Sequence, residues 1–200
     1  MIDATKGLAH SKRDLRRSRP LLRRSLREVG VVVRRGGVVG YAVEACFGLG
    51  CDPRNRRAVQ RLLRLKRRPA TKGLILIARQ TQALQPYIKE VPAEVLATWP
   101  GPHTWLVEGR PALLPIVRGR HATVAVRVTA HRQAGRLAHF SGGTLISTSA
   151  NRARQKPARH YRELCRRFGR DLDAILVGRI GALARPTAIR DARTGRTIRL

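Results

Sequence analysis

Gly73-Leu74-Ile75-Leu76-Ile77-Ala78 is the stretch on which the fold class turns. It holds no polar side chain, whereas a strand with one wet face would alternate, so the run reads as a strand buried on both faces. Such a strand needs covering layers. Upstream, Asp52-Pro53 opens a turn, and Arg56 to Lys66 reads as an amphipathic helix with Val59, Leu62, Leu63 and Leu65 inward. Before that, Leu22, Leu26, Val29 and Val33 recur at helical spacing over 21–35, Gly36-Gly37 closes this helix, and Val38 to Val43 is a short buried strand ending in Glu44. Downstream, the pattern predicts strands over 103–107, 123–129, 144–148, 174–177, 188–191 and 197–199, with helices over 93–99, 130–140 and 158–169. Pro100-Gly101-Pro102 stops the first of those helices, and the Pro- and Gly-containing stretch 106–120 reads as a loop. Strands and helices alternate without an internal repeat, which predicts a single α/β domain over 21–200 with a twisted, largely buried sheet flanked by helices. Residues 1–20 are polar and basic, and are expected to form a flexible extension.

Composition narrows the function classes. Hydrophobic residues make up 42% of the 200-residue chain, enough for a real core. No apolar run approaches the roughly 18 residues of a membrane span, so no membrane role is expected. The basic start runs into Leu21-Leu22 and at once into Arg23-Arg24, which is not a secretory signal, although its Arg-rich, acid-poor character superficially resembles a transit peptide. Cys46, Cys51 and Cys165 are odd in number and lack metal-type spacing; they read as reduced, buried thiols of a cytoplasmic protein. The formal net charge is +30, from 42 Lys and Arg against 12 Asp and Glu. That excess favours polyanions such as RNA or nucleotides, with RNA binding that is tight at low salt and falls steeply as salt rises. Solvated arginine faces are the alternative reading of any single Arg. Only six lysines occur, and Lys66 and Lys72 share one short basic segment. A compact ammonium fits places a planar guanidinium cannot, so these two hint at a tight phosphate pocket, with chance placement as the competitor.

The familiar catalytic signatures are missing. The sequence has no P-loop pattern, no G-x-G-x-x-G, no H-E-x-x-H and no G-x-S-x-G elbow, and its few acids are scattered. Neither a covalent nucleophile nor a tightly bound metal is expected. What remains is a set of cationic and hydroxyl-bearing turns. Lys66-Arg67-Arg68-Pro69-Ala70-Thr71-Lys72 leads into the buried strand, where clustered donors suit a triphosphate as well as they suit a solvated loop. Ser147-Thr148-Ser149-Ala150-Asn151 leaves another strand and can orient phosphate oxygens or simply stabilise its own turn. Arg127 sits inside the apolar strand Val124-Ala125-Val126-Arg127-Val128, so it needs a partner: an anionic ligand, or one of the few acids in a structural ion pair.

Taken in order, these segments resemble the YrdC-like family of threonylcarbamoyl-AMP synthases, in its short bacterial form. The resemblance runs from about Leu26 to Leu200. It is carried by Gly48-Leu49-Gly50-Cys51-Asp52-Pro53, Leu65-Lys66-Arg67-Arg68-Pro69 with Lys72-Gly73-Leu74-Ile75, Trp99-Pro100-Gly101-Pro102-His103-Thr104 and Ala125-Val126-Arg127-Val128. Ser147-Thr148-Ser149-Ala150-Asn151 and Pro186-Thr187-Ala188-Ile189-Arg190-Asp191 complete it. The resemblance implies a mixed, twisted sheet flanked by helices and enclosing a basic cavity. It implies that Lys66, Arg68, Lys72, Ser147, Ser149 and Asn151 hold ATP, with Mg2+ arriving on the nucleotide. Arg127 would pair with the carboxylate of L-threonine, Thr187 would help enclose the amino acid, and Val43 would stand at a threonine or bicarbonate contact. The implied activity joins L-threonine, bicarbonate and ATP into threonylcarbamoyl-AMP and pyrophosphate. The product serves the threonylcarbamoyl modification at position 37 of tRNAs reading codons that begin with A, and downstream transfer proteins complete it.

Two departures stand out. Tyr41-Ala42-Val43-Glu44 replaces the family's Tyr-Pro-Thr-Glu, so a hydroxyl is lost at Val43, and Ala153-Arg154 replaces a common Ser-Gly pair, so a loop of different shape and higher charge is expected. One rival reading is a non-catalytic RNA-binding protein on the same scaffold. A second is carbamoyl transfer to another substrate, as in hydrogenase maturation, but the zinc-finger and acylphosphatase-like segments found there are not in this sequence.

Overall fold

The alternation in Thr123-Val124-Ala125-Val126-Arg127-Val128 decides which way the central sheet faces. Val124, Val126 and Val128 join the larger core cluster, while Thr123, Ala125 and Arg127 point to the opposite face, as the two-residue period of a strand requires. The computed structural model describes residues 21–23 and 25–199, and the predicted extension over 1–20 lies outside them. In chain order the strands are β1 (Leu21–Arg23), β2 (Val39–Ala42), β3 (Phe47–Gly50), β4 (Ile75–Ala78), β5 (Thr104–Glu108), β6 (Thr123–Val128), β7 (Thr144–Ser149), β8 (Ala174–Leu176), β9 (Ile189–Asp191) and β10 (Thr197–Arg199). The helices are α1 (Leu26–Arg34), α2 (Arg56–Lys66), α3 (Ala93–Leu96), α4 (Pro115–Arg118), α5 (Arg132–Phe140) and α6 (Tyr161–Phe168), with short 3-10 turns at Ala70–Lys72 and Thr81–Leu84.

Among the described residues the strands form one mixed sheet in the order β1-β8-β2-β3-β7-β4-β6-β5-β9-β10. β4 is central, parallel to β6 and antiparallel to β7. One face packs Leu76, Ala78, Val126 and Ile146 against the apolar stripe of α2 (Ala58, Val59, Leu62, Leu63) and against Leu164 and Phe168 of α6. On the other, Ile77 and Leu145 pack beneath α1 and α5 through Val29, Val33, Ala134, Leu137 and Ala138. The Gly73–Ala78 run is therefore covered on both faces at its C-terminal end, as read from sequence.

Three segments differ from the sequence-based expectation. The helix expected over 21–35 starts only at Leu26, because Ser25 caps it by accepting from the Glu28 amide at 3.4 Å, and residues 21–23 pair with β8 instead. Strand β3 was hidden by Gly48 and Gly50, residues of low strand propensity. Gly50 is there for space: a Cβ on it would lie 2.4 Å from the Ile146 carbonyl oxygen. The stretch expected as loop over 106–120 contains the end of β5 and the single-turn helix α4, started by Pro115 at its first position.

Gly73 and Gly119 lie back to back where the entrance of β4 meets the exit of α4. Their φ angles are +60° and +73°, and a Cβ on Gly119 would lie 2.5 Å from the Thr71 carbonyl oxygen and 2.6 Å from the Gly73 nitrogen. Neither neighbour is a flexible side chain, so nothing can give way cheaply. Gly119→Ala is expected to lower stability by about 2 kcal/mol, the sum of left-handed strain and backbone overlap. Thermal unfolding would read this as a fall in Tm of roughly 4–8 °C.

Candidate functional site

Beyond Ile77 and Leu145, the second face of the sheet loses its helical cover. The strand positions Ile75, Ala125, Arg127 and Ser147 then line an open cleft of about 1000 Å3. That is the upper end of the usual range for ligand pockets. All nine residues singled out from sequence line it: Val43, Lys66, Arg68, Lys72, Arg127, Ser147, Ser149, Asn151 and Thr187. They come from the β2–β3 turn, the C-terminus of α2, the 3-10 turn before β4, strands β6 and β7, and the segment before β9.

Helical periodicity explains why Lys66 is buried. It extends the inward stripe of Ala58, Leu62 and Leu63 by one more turn, so its ammonium emerges beneath the exit of β7. There Nζ donates to the Ser149 carbonyl, to the Asn151 carbonyl at 2.9 Å and to Asn151 Oδ1 at 3.4 Å. Ser149 Oγ donates to the same Oδ1 at 2.6 Å, while Asn151 Nδ2 donates to the carbonyls of Arg152 and Gln155. The lysine is thus hydrogen-bonded but faces no carboxylate. Burial first, then the charge of Arg68, pull its pKa down to about 8. Arg68 is spent partly on the backbone, donating to the carbonyls of Lys72 and Gly73, and its pKa too is lowered by burial and by Arg199. Lys72 is exposed at the rim, on the 3-10 turn.

Across the cleft, Arg127 is 5% exposed, and its ion-pair partner is Glu44, itself 8% exposed, at 3.2 Å. The structural pair anticipated as one reading of Arg127 is therefore present. The guanidinium also donates to Thr187 Oγ1 at 2.7 Å and Thr104 Oγ1 at 3.3 Å, while its buried Nε has no partner. Thr187 Oγ1 lies 3.0 Å from Thr104 Oγ1, so the hydroxyls form one small network on the guanidinium. Val43 is buried beside Glu44 in the β2–β3 turn and closes that turn from its amide to the Cys46 carbonyl at 3.0 Å. Cys46 also lines the cleft, but burial raises its pKa to about 11, so the thiol stays protonated and is a poor nucleophile.

Sequence reasoning missed Glu44, Thr104, Arg118, Arg120, His121 and Arg199. Of these Thr104 lies behind Arg127 and the rest line the cleft. The arginines gave no signal, because Arg is spread over the whole chain. Only the two-residue period of β10 pointed anywhere, and it does not reveal that Arg199 faces a cleft. In the loop after Asn151, Arg154 holds φ +65°, a left-handed conformation that glycine adopts freely, and lines the cleft. Among the described residues, Lys66, Arg68, Lys72, Arg118, Arg120, Arg127, Arg154 and Arg199 line the cleft, and Glu44 is the one acid. Such a wall suits a ligand carrying several negative charges. Among the described residues no group of three or more His, Cys, Asp or Glu comes together, and no helix is long and apolar enough to cross a membrane.

A family model named Sua5_yciO_yrdC and described as "Telomere recombination" matches residues 31–200. The chain belongs to the Sua5/YciO/YrdC family. Among curated members it is 48% identical over 178 residues to the threonylcarbamoyl-AMP synthase of Halorhodospira halophila, covering 87% of this chain and 93% of that protein. It is 49% identical over 178 residues to the synthase of the same name from Methylococcus capsulatus, covering 87% and 96%. Among solved structures, P. abyssi Sua5 complexed with L-threonine superposes with a TM-score of 0.80 at 26% identity, over 89% of this chain and 55% of that one. The mixed sheet with its flanking helices is thus the Sua5/YciO/YrdC fold, and the cleft is a feature of this family member.

Lys66 gives the site a pH signature. With its pKa near 8, part of the lysine population is neutral just above that pH, and an anion beside it must pull the pKa back up. Nucleoside triphosphate binding slightly above pH 8 is therefore expected to take up protons. Calorimetry in buffers of different ionisation heat would measure it, and binding without uptake would mean that Lys66 is already fully charged in the free protein.

Proposed function

We propose that the chain is a threonylcarbamoyl-AMP synthase, a nucleotidyltransferase that makes threonylcarbamoyl-AMP and pyrophosphate from L-threonine, bicarbonate and ATP. The observation that carries this reading is its 48–49% identity to synthases of that name, over more than nine-tenths of their length. The cleft supports it independently, because the cations and hydroxyls that such a reaction needs share one cavity.

In this reading the triphosphate lies along Lys66, Arg68, Lys72, Ser147, Ser149 and Asn151. Burial has already stripped Lys66 of water, and Arg68 is half-buried, so they meet the phosphates at reduced reorganisation cost. Mg2+ enters on the nucleotide, since Glu44 is already committed to Arg127 and the cleft offers no other carboxylate. Arg127 takes the threonine carboxylate, with Thr187 and Val43 beside it. The threonine amine, having lost a proton, adds to carbon dioxide derived from bicarbonate and becomes a carbamate. A carbamate oxygen then attacks the α-phosphorus, the bond to the β-phosphate breaks, and pyrophosphate leaves. No side chain forms a covalent bond. The protein contributes proximity and charge, and the protonated Cys46 thiol fits a wall that takes no part in bond making. Downstream transfer proteins in the cytoplasm then pass the threonylcarbamoyl group to tRNA, and the basic surface supplies affinity for RNA. A purely RNA-binding role is not favoured, because it would need none of the Lys66–Ser149–Asn151 network.

Pyrophosphate release from ATP, without added tRNA, is expected to require both L-threonine and bicarbonate. Release that ignores either co-substrate, or no release beside salt-sensitive RNA binding, would sink the assignment. Val43→Thr restores a hydroxyl at the rim of the Arg127 network without changing the side chain's shape. It should raise kcat/KM for threonine by roughly tenfold, about 1.4 kcal/mol or one good hydrogen bond. Unchanged or lower turnover would remove Val43 from the substrate contacts.

A further inference from the structure

The Arg127–Glu44 pair is buried, yet it lines the cleft rather than the core, and its surroundings are unequal on the two sides. On one flank the guanidinium meets only neutral acceptors, the hydroxyls of Thr187 and Thr104. On the other it meets Glu44, whose second oxygen accepts from Thr129 Oγ1. Thr187 and Thr104 hold Nη1, whereas the full charge of Glu44, 3.2 Å from Nη2, holds the other arm of the fork, so the two sides together set the plane of the guanidinium. Glu44 is itself held in place. Its carbonyl accepts from the Leu183 amide at 3.2 Å and that of Val43 from Gly181 at 3.0 Å, which straps the β2–β3 turn under the segment leading to Thr187. Space is tight there: a Cβ on Gly181 would lie 2.7 Å from the Glu44 carbonyl oxygen.

We infer that Glu44 is a positioning residue, fixing the Arg127 guanidinium in the orientation that receives the amino-acid carboxylate. The inference rests on the proposed role of Arg127. Two opposed effects decide its sign. Glu44 partly neutralises Arg127, so removing its charge strengthens the pull on an incoming carboxylate. It also supplies the contact that holds the second arm, and a fork held at Nη1 alone can tilt and lose most of its bidentate advantage. Orientation wins because Arg127 is almost fully enclosed: an incoming carboxylate meets the few donors that face the cleft, or meets none.

The test is steady-state kinetics on the full chain with L-threonine and ATP varied separately. Glu44→Gln keeps the shape and removes the charge, and is expected to raise KM for threonine by about tenfold while KM for ATP stays within about twofold. Thr129→Val keeps the ion pair and removes the hydroxyl behind Glu44, which also accepts from the His131 amide at 3.1 Å. It is expected to shift the same constant in the same direction by about threefold, and it serves where Glu44→Gln fails to fold. A fall in KM for threonine would show Glu44 to be a competitor for Arg127. No change, or parallel changes in both constants that follow Tm, would show it to be structural; each of these results overturns the inference. Arg127→Lys separates the two layers of argument. If it leaves KM for threonine unchanged, the role of Arg127 itself fails. If it raises KM while both Glu44→Gln and Thr129→Val do not, only the positioning role fails.

Discussion

The second face of the central sheet is covered by α1 and α5 as far as Ile77 and Leu145, and the rest of the site follows from where that cover stops. Positions on β6 and β7 that would otherwise carry apolar side chains into a core instead set Ala125, Arg127 and Ser147 against the cleft. The first face shows the contrast: Leu76, Val126 and Ile146, one residue away on the same strands, lie in the main core. The strand period thus builds core and cleft from the same three segments. A one-residue slip of β6 would turn Arg127 into the core and Val126 into the cleft, so the apolar packing that fixes the register also fixes the chemistry.

A cavity walled by eight cations and one acid is electrostatically unfavourable when empty. The lowered pKa values of Lys66 and Arg68 are that cost made visible, each caused first by burial and then by another cation nearby. Nothing in the cleft relieves the strain except Glu44 on Arg127. A multiply charged anion relieves it at once, so part of the free energy of forming the cavity returns on binding. Such a wall needs no paired carboxylates to hold an anion, because what it offers is charge and placement.

Much of this was legible in the sequence, and the parts that were not share physical reasons. The Gly73–Ala78 run and the stripe of α2 announce themselves by period, and with them the burial of Lys66, which falls on the inward stripe. Family resemblance then gathered nine residues that the cleft does bring together. Strand β3 was missed because its glycines answer to close neighbours distant in sequence, Ile146 above all, and local propensity cannot see them. The helix start was misplaced because Leu21 to Arg23 fits a helical stripe and a strand equally well, and only the partner strand β8 decides between them. Arg118, Arg120 and Arg199 were invisible for a different reason. In a chain with 42 basic residues, an arginine that matters looks like any other, whereas the scarce residue types carried the signal.

The two departures from the family pattern show how differently a backbone and a side chain are constrained. At position 154 an arginine takes the left-handed conformation, at a cost of about 1 kcal/mol relative to glycine, in a turn closed by Asn151 Nδ2 donating to the Gln155 carbonyl. At position 43 the turn closes through the Val43 amide, a bond that does not depend on the side chain. What changes there is one hydroxyl against one methyl, in a turn whose next residue is Glu44. A hydroxyl-for-methyl change there leaves the turn's backbone bond in place and sits one residue from Glu44, the ion-pair partner of Arg127.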